Sequence, residues 1–191
     1  MNNHPHQRRG LFLILTLWIL PAASSRVAAL NEENMEYSAK LAFLYNFAKF
    51  VEWPPGSYRY PNPPFVICVV GRDPFSPGSE SDLRTRMVSG HPIEVRILRG
   101  TDGLSACNMV FIPITEKDQT DNILGRLRGS STLTVGETAG FAARGGMINL
   151  TLEENRLRFE INQLAAERAG LKISSKLLSL AKLVADDPPR P

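Results

Sequence analysis

Apolar and polar residues alternate most regularly between Gly145 and Asn162. Asn149 and Thr151 separate Ile148, Leu150 and Leu152; beyond Glu153-Glu154-Asn155, Arg158 and Glu160 separate Leu157, Phe159 and Ile161. A period of two is that of a strand with one buried face, so the stretch predicts a hairpin. Pairing Leu152 with Leu157 sets Leu150 against Phe159 and Ile148 against Ile161 on the apolar face. The polar face then carries Asn149 against Glu160 and Thr151 against Arg158. A slip of one residue would turn all these apolar side chains to water, which determines the register. Asn162 is placed to cap a helix over residues 163–169, with Gly170 as its stop. Ser174 or Ser175 caps a second helix, residues 176–184, whose apolar stripe is Leu177, Leu178, Leu180, Ala181 and Val184.

Upstream, the pattern predicts a helix over residues 34–52. Leu41, Leu44, Tyr45, Ala48 and Val51 form one apolar stripe, and Phe43, Phe47 and Phe50 a second. A helix apolar around most of its circumference is covered on more than one side, by its own domain or by another chain. Trp53-Pro54-Pro55 ends it, because the residue before a proline is driven out of the α region. Phe65-Val66-Ile67-Cys68-Val69-Val70 is apolar throughout and reads as a strand buried on both faces, as in a parallel sheet. A helix over residues 81–88 follows, then residues 93–97, which alternate like an edge strand. Residues 107–112 read as a second buried strand, 121–128 as a helix and 132–135 as a further strand. Strands alternating with helices, then a hairpin and two helices, give an α/β fold: a single domain with a mostly parallel central sheet and helices on both faces. The domain is expected to span residues 30–184, with 185–191 as a flexible tail.

The N-terminus departs from this pattern. Arg8-Arg9 precedes an apolar core, Leu11 to Leu20, then Pro21 and the small residues Val27-Ala28-Ala29. That is the layout of a secretory signal peptide ending near residue 29. The core is shorter than the about 20 residues of a bilayer span, although an uncleaved anchor is the alternative. Arg8, Arg9 and Arg26 leave with this segment and no acid does, so the formal net charge of +3 falls to zero. The mature chain therefore has no electrostatic case for nucleic acid. Export to the periplasm also governs the two cysteines, Cys68 and Cys107, which read as a disulfide, with two buried free thiols as the alternative. The loop they would close corresponds to about 4 kcal/mol of chain entropy.

Catalytic patterns do not appear. His91 is the one histidine beyond the leader, and it stands beside Pro92 at a strand start. No G-x-S-x-G, H-E-x-x-H, P-loop or C-x-x-C occurs. No cofactor or metal is expected, and no activity depending on His91. The loop Gly71-Arg72-Asp73-Pro74-Phe75 follows a buried strand at the end where open α/β sheets bind ligands, which makes Arg72, Asp73 and Phe75 a candidate ligand loop.

Three blocks carry a resemblance. They are Tyr37-Ser38-Ala39-Lys40-Leu41-Ala42-Phe43-Leu44-Tyr45-Asn46-Phe47-Ala48-Lys49-Phe50-Val51-Glu52-Trp53-Pro54, the Gly71–Phe75 loop, and the hairpin with Gly170-Leu171-Lys172-Ile173-Ser174-Ser175-Lys176-Leu177-Leu178. In these the chain resembles the YfiR family of periplasmic proteins. The resemblance implies a non-enzymatic negative regulator. Such a protein binds the periplasmic domain of a membrane diguanylate cyclase and is sequestered by an outer-membrane lipoprotein, so controlling cyclic-di-GMP and biofilm formation. Cys68 and Cys107 fall where the family's disulfide does, whereas Ala142 and Asn149 stand in the neighbourhood of a second cysteine pair found in some members. The expected partner-binding residues are Asn149, Thr151, Arg158 and Glu160; a homodimer is a further expectation. The competing reading is a periplasmic small-ligand sensor.

Overall fold

All six residues of strand β2 (Phe65–Val70) are buried, as a run apolar at every position requires. Successive side chains point to opposite faces, so both faces of the sheet here must be covered. The structure, a computed structural model, describes residues 22–57, 63–75, 78 and 81–186, with side chains from Asn34 onward. Most of the predicted leader and residues 187–191 of the predicted tail lie outside the described residues.

Helix α1 (Ala22–Phe50) is followed by β1 (Val51–Glu52), β2, α2 (Ser81–Arg84), β3 (Met87–Val88), β4 (His91–Leu98) and β5 (Met109–Ile112). Helix α3 (Thr120–Leu127), β6 (Leu133–Gly136), the hairpin β7 (Ile148–Glu153) and β8 (Arg156–Ile161), and α4 (Gln163–Arg168) come next. The chain closes with β9 (Lys172–Ile173), α5 (Ser175–Leu178) and β10 (Lys182–Leu183). One eight-stranded sheet has the order β10-β8-β7-β6-β5-β2-β4-β3. Its centre is parallel, while β8 runs antiparallel to β7 and β3 antiparallel to β4. The α/β architecture expected from the pattern is the one observed.

The two faces bury separate clusters. Phe65, Ile67, Val69, Met109, Phe111, Leu133 and Val135 meet Leu41, Leu44, Phe47 and Ala48 of α1 on one side. Val66, Cys68, Val70, Val110 and Ile112 meet Ile123 and Leu127 of α3 and Phe141 on the other. The second stripe of α1 belongs to the domain's own core: Phe43 and Phe47 pack on Phe159 of β8 at 5.8 and 5.2 Å between ring centroids. The hairpin register is the one that the alternation requires, from Ile148 opposite Ile161 to Leu152 opposite Leu157. Asn162 caps α4 by accepting from Ala165 N, and Ser174 caps α5 by accepting from Leu177 N.

Three expected helix ends are strands instead. Residues 51–52 leave α1 and pair antiparallel with Ile173 and Lys172, so β1 and β9 form a separate two-stranded sheet. The helix expected over 81–88 stops at Arg84, and Met87–Val88 pairs with β4, which takes β4 off the sheet's edge. The helix expected over 176–184 stops at Leu178, and Lys182–Leu183 pairs parallel with Glu160 and Ile161. Its apolar stripe dissolves accordingly: Leu177 is buried, while Leu180 is exposed. In two of the three a strand partner distant in sequence competes successfully with local helical periodicity; Met87–Val88 instead folds back on His91–Pro92 through a tight turn at Ser89-Gly90, both at positive φ.

Candidate functional site

The polar face of the hairpin is graded rather than uniform. Asn149 is only 1% exposed, Thr151 and Glu160 are half-buried, and Arg158 is exposed. Asn149 Nδ2 donates to Glu160 Oε2 at 3.2 Å, and Lys182 Nζ donates to Glu160 Oε1 at 2.9 Å. Burial pushes the Glu160 carboxyl up, but the hydrogen bonds from Lys182 and Asn149, with the Lys182 charge, outweigh it and hold the group below its ordinary value. Asn149 therefore acts as a support for Glu160, while Arg158, Glu160 and Lys182 carry the accessible charge. Strand β10 covers β8 only at Glu160 and Ile161. Among the described residues, the outer edge of β8 over 156–159 has no strand partner, and Leu152 and Leu183 are exposed nearby on β7 and β10.

The loop after β2 is turned inward. Phe75 is buried, edge-on to Tyr37 and stacked with Phe111, each at 6.1 Å. Asp73 Oδ1 accepts from Phe75 N at 2.9 Å, which closes the turn. Glu116 lies over Gly71 so closely that a Cβ there would stand 2.1 Å from its Oε1. Arg72 is exposed and Asp73 half-buried. The loop thus contributes a core plug in Phe75, and the space above its glycine is filled by a carboxylate.

Cys68 and Cys107 are joined as a disulfide, with Cα atoms 5.9 Å apart, on the face covered by α3. Ala142 is buried beside the Asn162 side chain, whose Nδ2 donates to its carbonyl. His91 Nδ1 lies 2.7 Å from the Pro63 carbonyl, a contact that ties the start of β4 to the connector before β2. Among the described residues no group of three or more His, Cys, Asp or Glu could hold a metal ion, and no helix is long and apolar enough to cross a membrane.

The pattern of residue types did not disclose a second charged cluster beneath α1. Lys40 is 5% exposed, with Nζ 2.5 Å from both Glu137 Oε2 and Glu36 Oε1 and 4.2 Å from the centre of the Tyr37 ring. Glu137 Oε1 accepts from Ile114 N at 2.7 Å and from the Tyr37 hydroxyl at 3.1 Å. Its Oε2 meets Lys40 as an ionic contact rather than a well-aligned hydrogen bond. This cluster binds α1 to the segments that leave β5 and β6. Its one visible signal was a lysine three residues after Tyr37 and four before Leu44, inside an apolar stripe.

Together these features define a class: a disulfide-bonded α/β domain whose distinctive chemistry lies in paired charges. The YfiR/HmsC-like family profile matches residues 37–182, and the chain belongs to that family. Proteins of this family are periplasmic regulators in diguanylate-cyclase signalling rather than enzymes. The crystal structure of a conserved domain protein from Vibrio cholerae O1 biovar El Tor is similar at 14% identity, with a TM-score of 0.44. The similarity covers 62% of this chain and 54% of that one, so the match spans about half the length of that protein.

Proposed function

We propose that this protein represses a membrane diguanylate cyclase by binding its periplasmic domain through the hairpin edge, where Arg158, Glu160 and Lys182 supply charge. The observation that carries this reading is the open edge of β8 beside those charges, in a chain of the YfiR/HmsC-like family. An uncovered strand edge offers backbone donors and acceptors in a fixed direction, and flanking charges select among partners. Because the strand pair is held from behind by Leu150 and Phe159, little ordering entropy is lost on docking. An outer-membrane lipoprotein that competes for the same surface would then raise cyclic-di-GMP and biofilm formation by removing the repressor. A homodimer using this edge would compete in the same way.

Titration calorimetry against the periplasmic domain of a membrane diguanylate cyclase from the same cell tests the reading. Arg158→Glu is expected to weaken binding by about tenfold or more while leaving the melting temperature unchanged, and to raise cyclic-di-GMP in cells. Unaltered affinity would remove Arg158 from the contact, and a wild-type protein that leaves the cyclase fully active would end the repressor reading.

A further inference from the structure

A cleft of about 440 Å³ opens on the face of the sheet covered by α3, between that helix and α4. Its apolar lining comes from Leu124 and Leu127 of α3, from Met147 and from Ala165 of α4. Three guanidinium groups, Arg128, Arg144 and Arg168, line the same hollow against a single carboxylate, Asp186. The wall carrying Arg144 is held in place from within: Phe141 is fully buried between Gly136 and Gly146, where a Cβ would stand 2.5 and 2.1 Å from its ring.

One acid already occupies part of this lining. Asp186 accepts from Arg168 through one oxygen and from Asn162 Nδ2 through the other. Asn162 has no exposed surface, so the seat is built into the protein rather than formed by surface side chains alone. The other two cations are less committed. Arg144 reaches Asp121 at only 3.5 Å, and that aspartate side chain is 78% exposed. Arg128 has no carboxylate within ion-pair distance among the described residues. Arginine forks match planar anions in a two-pronged way, and a preformed apolar wall beside them favours a ligand with both characters.

We infer that this cleft binds an amphipathic organic anion, its acidic group on Arg128 and Arg144 and its apolar body against Leu124, Leu127 and Met147. The site is separate from the hairpin edge and does not rest on the cyclase reading. Its volume suits a small molecule of the size that ligand pockets of about 300–1,000 Å³ accept.

The test uses the mature protein and two fluorescent probes of similar shape: anilinonaphthalene sulfonate, which carries an anion, and phenylnaphthylamine, which does not. The anionic dye should saturate at one site, weaken with added salt, and outbind the neutral one. The paired substitution Arg128→Gln/Arg144→Gln should weaken it by about tenfold or more. Lys117→Gln/Lys172→Gln, which removes the same charge elsewhere on the surface, should leave binding within about twofold. Equal binding of the two dyes, or equal losses from the arginine and lysine pairs, would overturn the proposal. Melting temperatures of all three proteins check that each is folded.

Discussion

Two lysine–glutamate pairs in this molecule have the same chemistry and opposite surroundings. Lys40 and Glu137 meet at 2.5 Å with side chains 7% and 4% exposed, under α1 and beside Tyr37 and Ile114. Lys182 and Glu160 meet at 2.9 Å with side chains 70% and 15% exposed, at the outer strand of the sheet. The first pair is cut off from water, and Glu137 depends on Lys40, because alone it would be an uncompensated buried charge, whereas Lys40 also meets Glu36. The second is screened by solvent, and water can replace either partner at small cost. The inner pair therefore fastens the frame, while the outer pair can be exchanged for contacts with another molecule. The same side-chain types thus serve cohesion under α1 and, in the proposed repressor, recognition at the outer strand.

Breaking the inner pair gives the largest expected effect. Glu137→Leu leaves Lys40 facing only Glu36 and should destabilise the fold by about 3–5 kcal/mol, lowering the melting temperature by roughly 10 °C. Adding Lys40→Met should restore part of that loss, since removing both charges ends the desolvation problem while Ile114 N and the Tyr37 hydroxyl still lack their acceptor. A loss no larger than that of a surface pair would abolish the contrast. Next in size, Cys107→Ser removes the disulfide and should cost roughly 2–4 kcal/mol in denaturant unfolding; thiol labelling of unreduced, denatured wild type should find no free cysteine. That loss comes from the α3 face and should add to the loss from Glu137→Leu, which comes from the α1 side.

Acid should loosen the outer region. Burial raises the carboxyls of Glu160 and Asp186, but hydrogen bonds and charge from Lys182 and Asn149, and from Arg168 and Asn162, hold both below their ordinary values. A depressed folded-state value means the contribution is complete above the unfolded value and disappears as pH falls through the folded one. Amides of residues 182–186 should therefore lose hydrogen-exchange protection as pH drops below the usual carboxylate range, before those of α1 do. Simultaneous loss in both regions would show that the edge is not an independent unit. The smallest effect on stability is expected from Glu160→Gln, which should move the melting temperature by no more than about 2 °C while weakening cyclase binding in calorimetry.

Most contacts close in sequence were legible, and contacts between distant segments were not. The hairpin register followed from alternation because only one pairing puts Ile148, Leu150, Phe159 and Ile161 on the same side. The caps at Asn162 and Ser174 followed from their position just before apolar runs. In contrast, Val51–Glu52 and Lys182–Leu183 become strands because of partners elsewhere in the chain, and two residues carry too little periodicity to announce it. Met87–Val88 is a local hairpin with His91–Pro92 whose turn, Ser89-Gly90, also reads as the end of a helix. The polar strip was placed on the right face, but its gradient of burial depends on tertiary neighbours such as Lys182 of β10, which lies beside Glu160. Lys40 stood out as a charge in an apolar stripe, yet nothing local pointed to Glu137 as its partner.

The small sheet of β1 and β9 joins the residues just after the first helix to a segment near the end of the chain. Ser174 N also donates to the Phe50 carbonyl, so the helix's last turn is closed by the same late segment. A chain that emerges from a ribosome or a translocation channel with its N-terminus leading presents α1 long before this clasp exists. Its phenylalanine stripe must wait uncovered until β8 and β9 arrive, since long-range pairing is completed late and exposes apolar surface meanwhile. Truncation before Phe159 would take away the ring on which Phe43 and Phe47 pack, and truncation before Ile173 would remove the clasp itself. Vectorial delivery thus makes the first helix dependent on the last forty or so residues, and a holding chaperone has an obvious hydrophobic handle during that interval.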